Sequence, residues 1–470
     1  MNPWWEDPAW ETRDLHLRRL AAAPVQLPSP AFVAAVDLHR PGIHVVRGPR
    51  QVGKSTGLKL LVRRALAGSP APKVTYVTLD LLEDQPITEV AATIARAKAL
   101  TGTGPGLLLL DEVTAVPRWA RALKALWDDG TVADDVIVCT GSSALDLATG
   151  GVESLPGRRG AGQDFLVLPA SFASFARATD PLVRASPGLD VQGLVSPSGG
   201  ALLREAQTMA PRLAQALERY LVFGGLPAAV ADAIEGQRAP REETLRVMWD
   251  AVEREVLRKG ASGVALAALL ERVVRSLGSK TSWASLAREM DVPLGGRRGS
   301  PDHRSVSDYV AFLARSYALV VLYFWKPASD SRDLSRDKKL YLGDPLLHTA
   351  TRAHTPGLAL DVAAAVENAV ALALLRRYDP PPSQGAGYAA PARVHVWQSA
   401  RGREIDFACG RKGAMHLVEV KYQAGAGRRD ALAMRNAFPG RPAVLVTRDT
   451  LATDGPIFHV PAPLFLWALT

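Results

Sequence analysis

One short segment of the sequence has residue types and a spacing suited to binding phosphate. Residues 48–55 read GPRQVGKS and fit the pattern G-x-x-x-x-G-K-[ST] without a mismatch. Glycines let the backbone curl so that consecutive N–H groups point at phosphate oxygens, and the N-terminus of a following helix favours anions. We therefore expect Lys54 to reach the β- and γ-phosphates of ATP and Ser55 to ligate Mg²⁺.

Acidic residues that would complete such a site follow a later apolar run. The segment LLLLDE ends in Asp111, which would hold Mg²⁺ through water, and Glu112, which would orient the attacking water. Another strand-like run ends at Ser142, which we prefer over Thr140 as the side chain that senses the γ-phosphate. The expected nucleotide-binding residues are Gly48, Pro49, Arg50, Gln51, Val52, Gly53, Lys54, Ser55, Thr56 and Asp111.

Two arginines lie further along the chain, in the segment LPGRR. Arg158, or its neighbour Arg159, would stabilise charge in the transition state of phosphoryl transfer. It would act within the subunit or across an interface between subunits. The alternative is an arginine pair on the surface, and both interpretations stay open at this point.

The C-terminal part of the chain holds a second group of residues suited to chemistry. Asp406 lies in the strand-like run EIDFACG, and Glu419 and Lys421 are two residues apart in MHLVEVKY. Residues at i and i+2 of a strand point to one face, so a hairpin would bring the three side chains together. Asp406 and Glu419 would bind Mg²⁺ and Lys421 would position or activate a water for phosphodiester attack, with Glu367 as a third carboxylate and Glu404 as a nearby alternative for either role. A salt-bridged strand face is the competing interpretation.

The middle of the chain, residues 269–325, reads helix, helix, helix, strand. The segment SVSDYVAFLARS would be the second helix of a helix-turn-helix, which usually enters the major groove of DNA. We expect Arg297, Arg298 and Arg304, which lead into this helix, to contact DNA phosphates. A winged helix that only joins two domains is the alternative.

These candidate residues need particular elements to position them. The first half alternates strand and helix patterns with nearly continuous apolar strands, which predicts an α/β fold with a parallel sheet. After the loop at 379–392, four strand-like runs predict a second α/β unit. The predicted division is an N-terminal segment (1–35), an ATPase domain (36–215) with a surface insertion at 176–211, a helical and winged-helix region (216–345) and a C-terminal domain (346–470).

The composition limits the class of protein. Of the 470 residues, 47% are hydrophobic and 22% charged, which excludes a disordered chain, and the net charge of +9 weakly favours a polyanionic partner. Cys139 and Cys409 suit a reducing cytoplasm and give no metal framework. The N-terminus lacks the apolar region of a signal peptide, and no apolar run approaches the ~18 residues of a membrane span. We expect a cytoplasmic protein with no membrane partner.

Several segments together resemble a large family of bacterial and archaeal AAA-like ATPases. They are GPRQVGKST, LLLLDEVTAVPRW, TGSSALDL, SLPGRR and LPASFASF, followed by YLVFGGLP, DKKLYLGDPLL, VENAVALALL and REIDF…VEVKY. The resemblance implies a P-loop ATPase core, a winged helix and a C-terminal domain similar to PD-(D/E)xK restriction endonucleases. In that fold Asp406, Glu419 and Lys421 would be the D…ExK residues, and Glu367 would match the helix acid of Holliday-junction resolvases.

Two functions are compatible with this sequence. The leading one is a DNA-directed protein that hydrolyses ATP and controls a metal-dependent nuclease domain. The other is a nucleotide-controlled switch whose C-terminal domain binds a partner and cleaves nothing. Either would act with ATP and Mg²⁺, and a homo-oligomer is compatible with both.

Overall fold

The structure is a computed structural model that divides into two compact units. It describes residues 2–24, 27–68, 73–83, 85–102, 104–142, 159–257, 262–290, 292–294, 297–299, 301–379, 387–399, 402–411, 413–423, 432, 434 and 443–469. One unit comprises Met1–Leu168, and the other comprises Pro169–Pro380 and Tyr388–Thr470. Residues 169–215, which we expected to belong to the ATPase domain, thus group with the second unit.

The elements are numbered here in chain order. The strands are β1 (Gly42–Arg47), β2 (Val74–Thr78), β3 (Leu107–Asp111), β4 (Val136–Gly141), β5 (Asp164–Leu166), β6 (Lys280–Thr281), β7 (Val292–Leu294), β8 (Arg297–Gly299), β9 (Leu319–Lys326), β10 (Ser331–Leu342), β11 (Val394–Gln398), β12 (Glu404–Arg411), β13 (Ala414–Lys421), β14 (Ala443–Thr447), β15 (Ala452–Asp454) and β16 (Ile457–Pro461). The α-helices are α1 (Leu15–Ala22), α2 (Ala31–Ala35), α3 (Lys54–Leu66), α4 (Ile87–Ala99), α5 (Trp119–Asp128), α6 (Phe172–Thr179), α7 (Val191–Leu194), α8 (Pro197–Ala206), α9 (Ala210–Phe223), α10 (Pro227–Ile234), α11 (Glu242–Leu257), α12 (Gly263–Arg275), α13 (Trp283–Glu289), α14 (His303–Arg315), α15 (Pro345–His354), α16 (Val362–Tyr378) and α17 (Ala462–Leu469).

A five-stranded sheet in the order β2-β3-β4-β1-β5 forms the centre of the first unit. All neighbouring strands in it pair in parallel. Every residue of β1, β3 and β4 is buried, as expected for the near-continuous apolar runs of a parallel sheet. The predicted α/β class with a parallel sheet is therefore confirmed.

The N-terminal residues lie against the edge strand β2 of this sheet. The indole N–H groups of Trp4 and Trp5 donate to the carbonyl oxygen of Val74 at 2.8 and 2.9 Å. The backbone N–H of Tyr76 donates to Oδ1 of Asn2 at 2.7 Å. Side chains thus satisfy backbone groups that a further strand would otherwise pair.

The second unit contains a nine-stranded mixed sheet. Its order is β15-β16-β14-β13-β12-β11-β9-β10-β6. Strands β11 to β14 correspond to the four strand-like runs predicted for the C-terminal part of the chain. This sheet also includes β6, β9 and β10, which come from the region that we predicted to form a separate winged helix.

Three helices accompany β6, β9 and β10. Helices α12, α13 and α14 precede β9 along the chain, in the order that we predicted, and β10 pairs antiparallel with both β9 and β6. The short hairpin β7–β8 separates α13 from α14. On β10, Nζ of Lys338 lies 4.2 Å from the ring centre of Trp283 on α13.

The segment that we expected to be a loose insertion, residues 176–211, contains helices. Asp190 and Ser196 accept hydrogen bonds from the first turns of α7 and α8, and Pro197 occupies the first turn of α8. The polar and proline residues that suggest a loop therefore begin helices instead. Leu194 and Leu203 are fully or almost fully buried, so these helices contribute to a core.

Two glycine-containing segments of the second unit meet at the buried carboxylate of Asp344. Its Oδ1 accepts the N–H of Leu346 at 2.8 Å at the start of α15, and its Oδ2 accepts the N–H of Gly225 at 2.9 Å. Gly224 has φ 66°, and a Cβ there would lie 1.9 Å from Oδ1 of Asp344. The motifs YLVFGGLP and DKKLYLGDPLL thus have a structural role.

Among the helices of the described residues, none combines the length and the apolar character that crossing a membrane requires.

Candidate functional site

The glycine-rich loop connects β1 to α3, as the motif predicts. Gly53 precedes the first residue of α3, Lys54, with φ 91°. A Cβ on Gly48 would lie 1.9 Å from the carbonyl oxygen of Val167, so only glycine fits there. Nζ of Lys54 donates to the carbonyl oxygens of Gly48 and Pro49 at 2.9 and 2.7 Å. The lysine is thus folded over its own loop, where phosphate oxygens would replace these carbonyls as acceptors.

Asp111 ends β3, and two neighbouring hydroxyl groups fix its carboxylate. Tyr76 on β2 donates to Oδ2 at 2.7 Å, and Thr140 on β4 donates to Oδ1. Asp111 as a whole is only 5% exposed, so the sheet rather than solvent sets the position of its carboxylate. Both hydroxyl groups would keep Asp111 oriented towards a ligand that enters at this edge of the sheet.

Glu112 follows with φ 50°, in the left-handed region that a glutamate rarely adopts. Its Oε1 accepts hydrogen bonds from Ser142 at 2.6 Å and from Thr114 at 3.0 Å, and Arg50 lies at 4.0 Å. Strained backbone of this kind concentrates at functional sites. The carboxylate of Glu112 thus lies among Ser142, Thr114 and Arg50 of the loop.

Charge in this site keeps Glu112 deprotonated. Burial alone would raise the pKa of Glu112, but the positive charge of Lys54, the hydrogen bond from Ser142, the charge of Arg50 and the hydrogen bond from Thr114 together hold it below its usual value. In contrast, burial and the charges of Glu112 and Asp111 raise the pKa of Asp80. Because Arg50 of the loop lies 4.0 Å from Oε1 of Glu112, the loop and the end of β3 face one site.

The structure therefore brings together the glycine-rich loop, Asp111, Glu112 and Ser142, as we expected. Ser55 and Thr56 are half-buried in the first turn of α3. Sequence reasoning missed Tyr76 and Thr114, and it considered Thr140 only as an alternative sensor. A tyrosine within the apolar run of β2 was the available signal for the first of these.

The predicted arginines give a divided result. Arg158 lies outside the described residues. The neighbouring Arg159 donates to Oδ1 of Asp164 at 2.6 Å, and Arg47 also contacts Asp164 at 3.3 Å. Arg159 is thus held by a carboxylate on β5, which favours a structural role for it.

The C-terminal candidate residues converge around a lysine that sequence reasoning missed. Nζ of Lys339 on β10 lies 2.8 Å from Oδ1 of Asp406, 2.9 Å from Oε1 of Glu404 and 3.1 Å from Oε1 of Glu367. Tyr341, two residues further along β10, donates to the same oxygen of Glu367 at 2.7 Å. We refer to Glu367, Glu404, Asp406 and Lys339 as the acidic cluster.

Glu419 and Lys421 lie beside this cluster on β13, as the hairpin predicts. The backbone N–H of Asp406 donates to Oε2 of Glu419 at 3.1 Å, and that of Val420 donates to Oδ2 of Asp406 at 2.9 Å. Nζ of Lys421 donates to Oε1 of Glu419 at 2.6 Å. Among the described residues, no group of three or more His, Cys, Asp or Glu side chains is arranged to hold a metal ion. Magnesium at Asp406 and Glu419 stays a prediction.

The protonation of the cluster follows from its burial. Burial and the charge of Asp406 raise the pKa of Glu367 to about 7, although Lys339 opposes this shift. Burial and Asp406 also raise the pKa of Glu419, against the effect of Lys421. Burial would lower the pKa of Lys339, but Asp406, Glu367 and Glu404 raise it. The lysine therefore carries a charge, and the raised pKa of Glu367 lies near neutral pH.

The basic residues predicted to contact DNA lie on two elements. Arg297 and Arg298 belong to β8, and their side chains lie outside the described part of the structure. Arg304 is exposed in the first turn of α14. Contact of Arg297 and Arg298 with DNA stays a prediction for the β7–β8 hairpin. Of the three arginines, Arg304 is the one that lies on the helix itself.

Three family models match separate parts of the chain. A model described as an AAA domain matches residues 40–176, and models for two domains of unknown function, DUF8612 and DUF4143, match residues 214–356 and 363–465. A comparison with curated proteins finds no match.

Two solved structures have low similarity to the chain. An Orc1 protein of Aeropyrum pernix in complex with DNA is 15% identical over 76% of this chain and 97% of that chain, with a TM-score of 0.29. A RuvB variant of Thermotoga maritima is 12% identical over 62% of this chain and 84% of that chain, with a TM-score of 0.28. Similarities of this size support no conclusion about activity or partners. The match to the AAA domain, the parallel sheet and the phosphate-binding loop show that the chain carries an AAA-type, nucleotide-binding ATPase domain.

Proposed function

We propose that the first unit hydrolyses Mg-ATP with Glu112 as the residue that orients the attacking water. The observation that carries this proposal is the position of Glu112, which is half-buried, has a pKa below its usual value and is held by Ser142 and Thr114 next to the loop. A fixed carboxylate at this point is suited to aligning a water with the γ-phosphate. The hydroxyl group of Ser142 donates to Oε1 of that carboxylate.

The other residues of the site have separate roles in this proposal. Lys54 would exchange the carbonyl oxygens of its own loop for the β- and γ-phosphates, and Ser142 would turn from Glu112 to the γ-phosphate. Oxygen ligands from Ser55 and Asp111 suit Mg²⁺, which would neutralise charge that develops on the phosphates. Tyr76 and Thr140 would keep Asp111 in place.

The experiment that tests this function is phosphate release from ATP by the full chain. We expect Glu112→Gln to bind ATP with unchanged affinity and to lose hydrolysis, because only water activation is removed. Lys54→Ala should lose most of the binding instead, since a charge-assisted contact to phosphate is removed. Normal turnover by Glu112→Gln would show that another residue activates the water.

We further propose that the protein is directed to DNA in the cytoplasm. Helices α12 to α14 with the antiparallel strands β6, β10 and β9 have the order of a winged helix, and the chain has a net charge of +9. Both cysteines are buried and free of disulfides, which suits a reducing compartment. DNA affinity that falls steeply with salt would support this proposal, and no binding to any nucleic acid would contradict it.

Two alternative functions are compared for the C-terminal region, namely cleavage of nucleic acid and binding of a partner. Convergence of Glu367, Asp406, Glu419 and Lys421 favours metal-dependent phosphodiester cleavage in a fold similar to restriction endonucleases. The ammonium group of Lys339 among the same carboxylates favours a domain that binds a partner without cleaving, and we propose this second function. Incubation of the protein with branched, single-stranded and duplex DNA, with Mg²⁺ or Mn²⁺ and with or without ATP, separates the two. Cleavage that Asp406→Ala abolishes would establish the nuclease.

A further inference from the structure

We propose that the ammonium group of Lys339 is the resident cation of the acidic cluster and takes the place of a divalent metal ion. The inference rests on the non-cleaving function proposed for the C-terminal region, and it names the physical reason why that region would not cleave.

The position of Lys339 is the first observation. It lies on β10, whereas Glu404 and Asp406 lie on β12, and in the order of the nine-stranded sheet β9 and β11 separate these two strands. Nζ nevertheless reaches both carboxylates at 2.9 and 2.8 Å, together with Glu367 on α16 at 3.1 Å. Three carboxylates from two elements thus surround one cation, the ammonium group of Lys339.

Burial is the second observation. Lys339 is only 2% exposed, although lysine is among the residues that are almost never fully buried unless paired. Lys338, its neighbour on β10, contacts the Trp283 ring instead and makes no ion pair with the cluster in the described structure. The sequence therefore provides two adjacent lysines, of which one enters the cluster.

Charge balance is the third observation. Lys280 on β6 contacts Oε2 of Glu404 at 2.9 Å, and Lys421 contacts Oε1 of Glu419 at 2.6 Å. The negative charges of these carboxylates are largely neutralised by three lysines. The carboxylates are Glu367, Glu404, Asp406 and Glu419, and the lysines are Lys280, Lys339 and Lys421. A divalent ion would have to displace Lys339, which would leave an unpaired ammonium group in a buried position, and such a group is strongly unfavourable.

Manganese binding to the full, nucleotide-free chain tests this proposal. Free Mn²⁺ is measured by electron paramagnetic resonance during titration of wild type, Asp406→Asn, Lys339→Met and the double variant of both positions. We expect wild type and Asp406→Asn to give the same binding curve. Lys339→Met should gain one Mn²⁺ site that the double variant loses, with an affinity about tenfold to a hundredfold higher than that of the double variant.

Lys338→Met is the matched control, since it removes a neighbouring lysine from the same strand. It should give the wild-type binding curve. The thermal midpoint of wild type should be unchanged by a chelator, whereas Mn²⁺ should raise that of Lys339→Met.

Two outcomes would overturn the proposal. The first is a Mn²⁺ site in the wild type that Asp406→Asn removes, and the second is a folded Lys339→Met variant that gains no site. If circular dichroism shows Lys339→Met to be unfolded, the comparison of wild type with Asp406→Asn decides alone. Cleavage of DNA is measured in a separate assay. Cleavage by wild type would contradict the non-cleaving function, whatever the Mn²⁺ titration shows about Lys339.

Discussion

Individual hydroxyl groups decide how the two acidic residues of the nucleotide site are oriented. Asp111 is held by Tyr76 and Thr140, and Glu112 is held by Ser142 and Thr114. Each carboxylate therefore has its own pair of donors from neighbouring strands or loops. Replacing one donor should change the function of one carboxylate and leave the other in place.

For Asp111, the informative change is Tyr76→Phe. The ring keeps its packing, but the hydrogen bond of 2.7 Å to Oδ2 is lost. Partners of this kind usually contribute about tenfold to a hundredfold to metal affinity or activity. We expect a loss of about tenfold in ATP turnover with little change in nucleotide affinity, measured by phosphate release. Tyr323→Phe, in the second unit, is the control and should leave turnover unchanged.

For Glu112, the informative change is Ser142→Ala, read from the pH dependence of kcat/KM for ATP, which reports the pKa of Glu112 in the nucleotide-free protein, where Ser142 contacts it. Because the pKa of Glu112 lies below its usual value, wild type should keep the carboxylate that we propose to orient water charged down to acidic pH. The hydrogen bond from Ser142 favours the charged form, so its removal should raise the pKa of Glu112. The acidic limb of the profile should then move to higher pH. An unmoved limb would indicate that another group controls the rate.

At the scale of elements, the turn before α10 is fixed by the residue that caps α15. Gly224 and Gly236 both have positive φ, 66° and 79°. A Cβ added to Gly224 would lie 1.9 Å from Oδ1 of Asp344, whereas a Cβ added to Gly236 would meet open space. Both Gly→Ala changes strain the backbone, and the first adds a collision. The pair therefore separates backbone strain from close contact.

We expect Gly224→Ala to reduce the free energy of unfolding by several kcal/mol and Gly236→Ala by about 1–2 kcal/mol. The larger effect has a further cause, since moving Asp344 would break its hydrogen bonds to Gly225 and Leu346. Denaturant unfolding of both variants measures the difference. Equal losses would show that the turn tolerates a side chain and that the segment YLVFGGLP needs its glycine only for φ.

For the whole molecule, the division into two compact units predicts how ATP affects stability. The nucleotide site lies in Met1–Leu168, and the acidic cluster lies in the other unit. A ligand at about 100 times its dissociation constant raises the free energy of unfolding of the unit that binds it by about 2.7 kcal/mol. In calorimetry we expect Mg-ATP to raise one unfolding transition of wild type and to leave the other unchanged. Lys54→Ala should abolish the shift, while a shift of both transitions would show that the units unfold together.

Much of the nucleotide site was predictable because its chemistry is local in sequence. The loop from Gly48 to Ser55 needs a fixed spacing, and Asp111 and Glu112 follow a buried strand, so both leave a signal within a few residues. Tyr76 left only the weak signal of a tyrosine in an apolar run, and Lys339 left none, because their partners are 35 and 67 residues away. Only the pairing of strands decides that these side chains meet carboxylates. The pairing of β9 with β11 could not be predicted for the same reason, since a long stretch of chain separates the two strands.

The contacts of Trp4, Trp5 and Asn2 on β2 have a consequence for association between molecules. A strand at the border of a sheet offers unpaired N–H and C=O groups to any extended chain that approaches, which is a common route to aggregation. Here two indoles and one amide side chain occupy that border at Val74 and Tyr76. The side chains of Asn2, Trp4 and Trp5 thus hinder pairing of β2 with a strand of another molecule. The same strand carries Tyr76, which is hydrogen-bonded to Asp111.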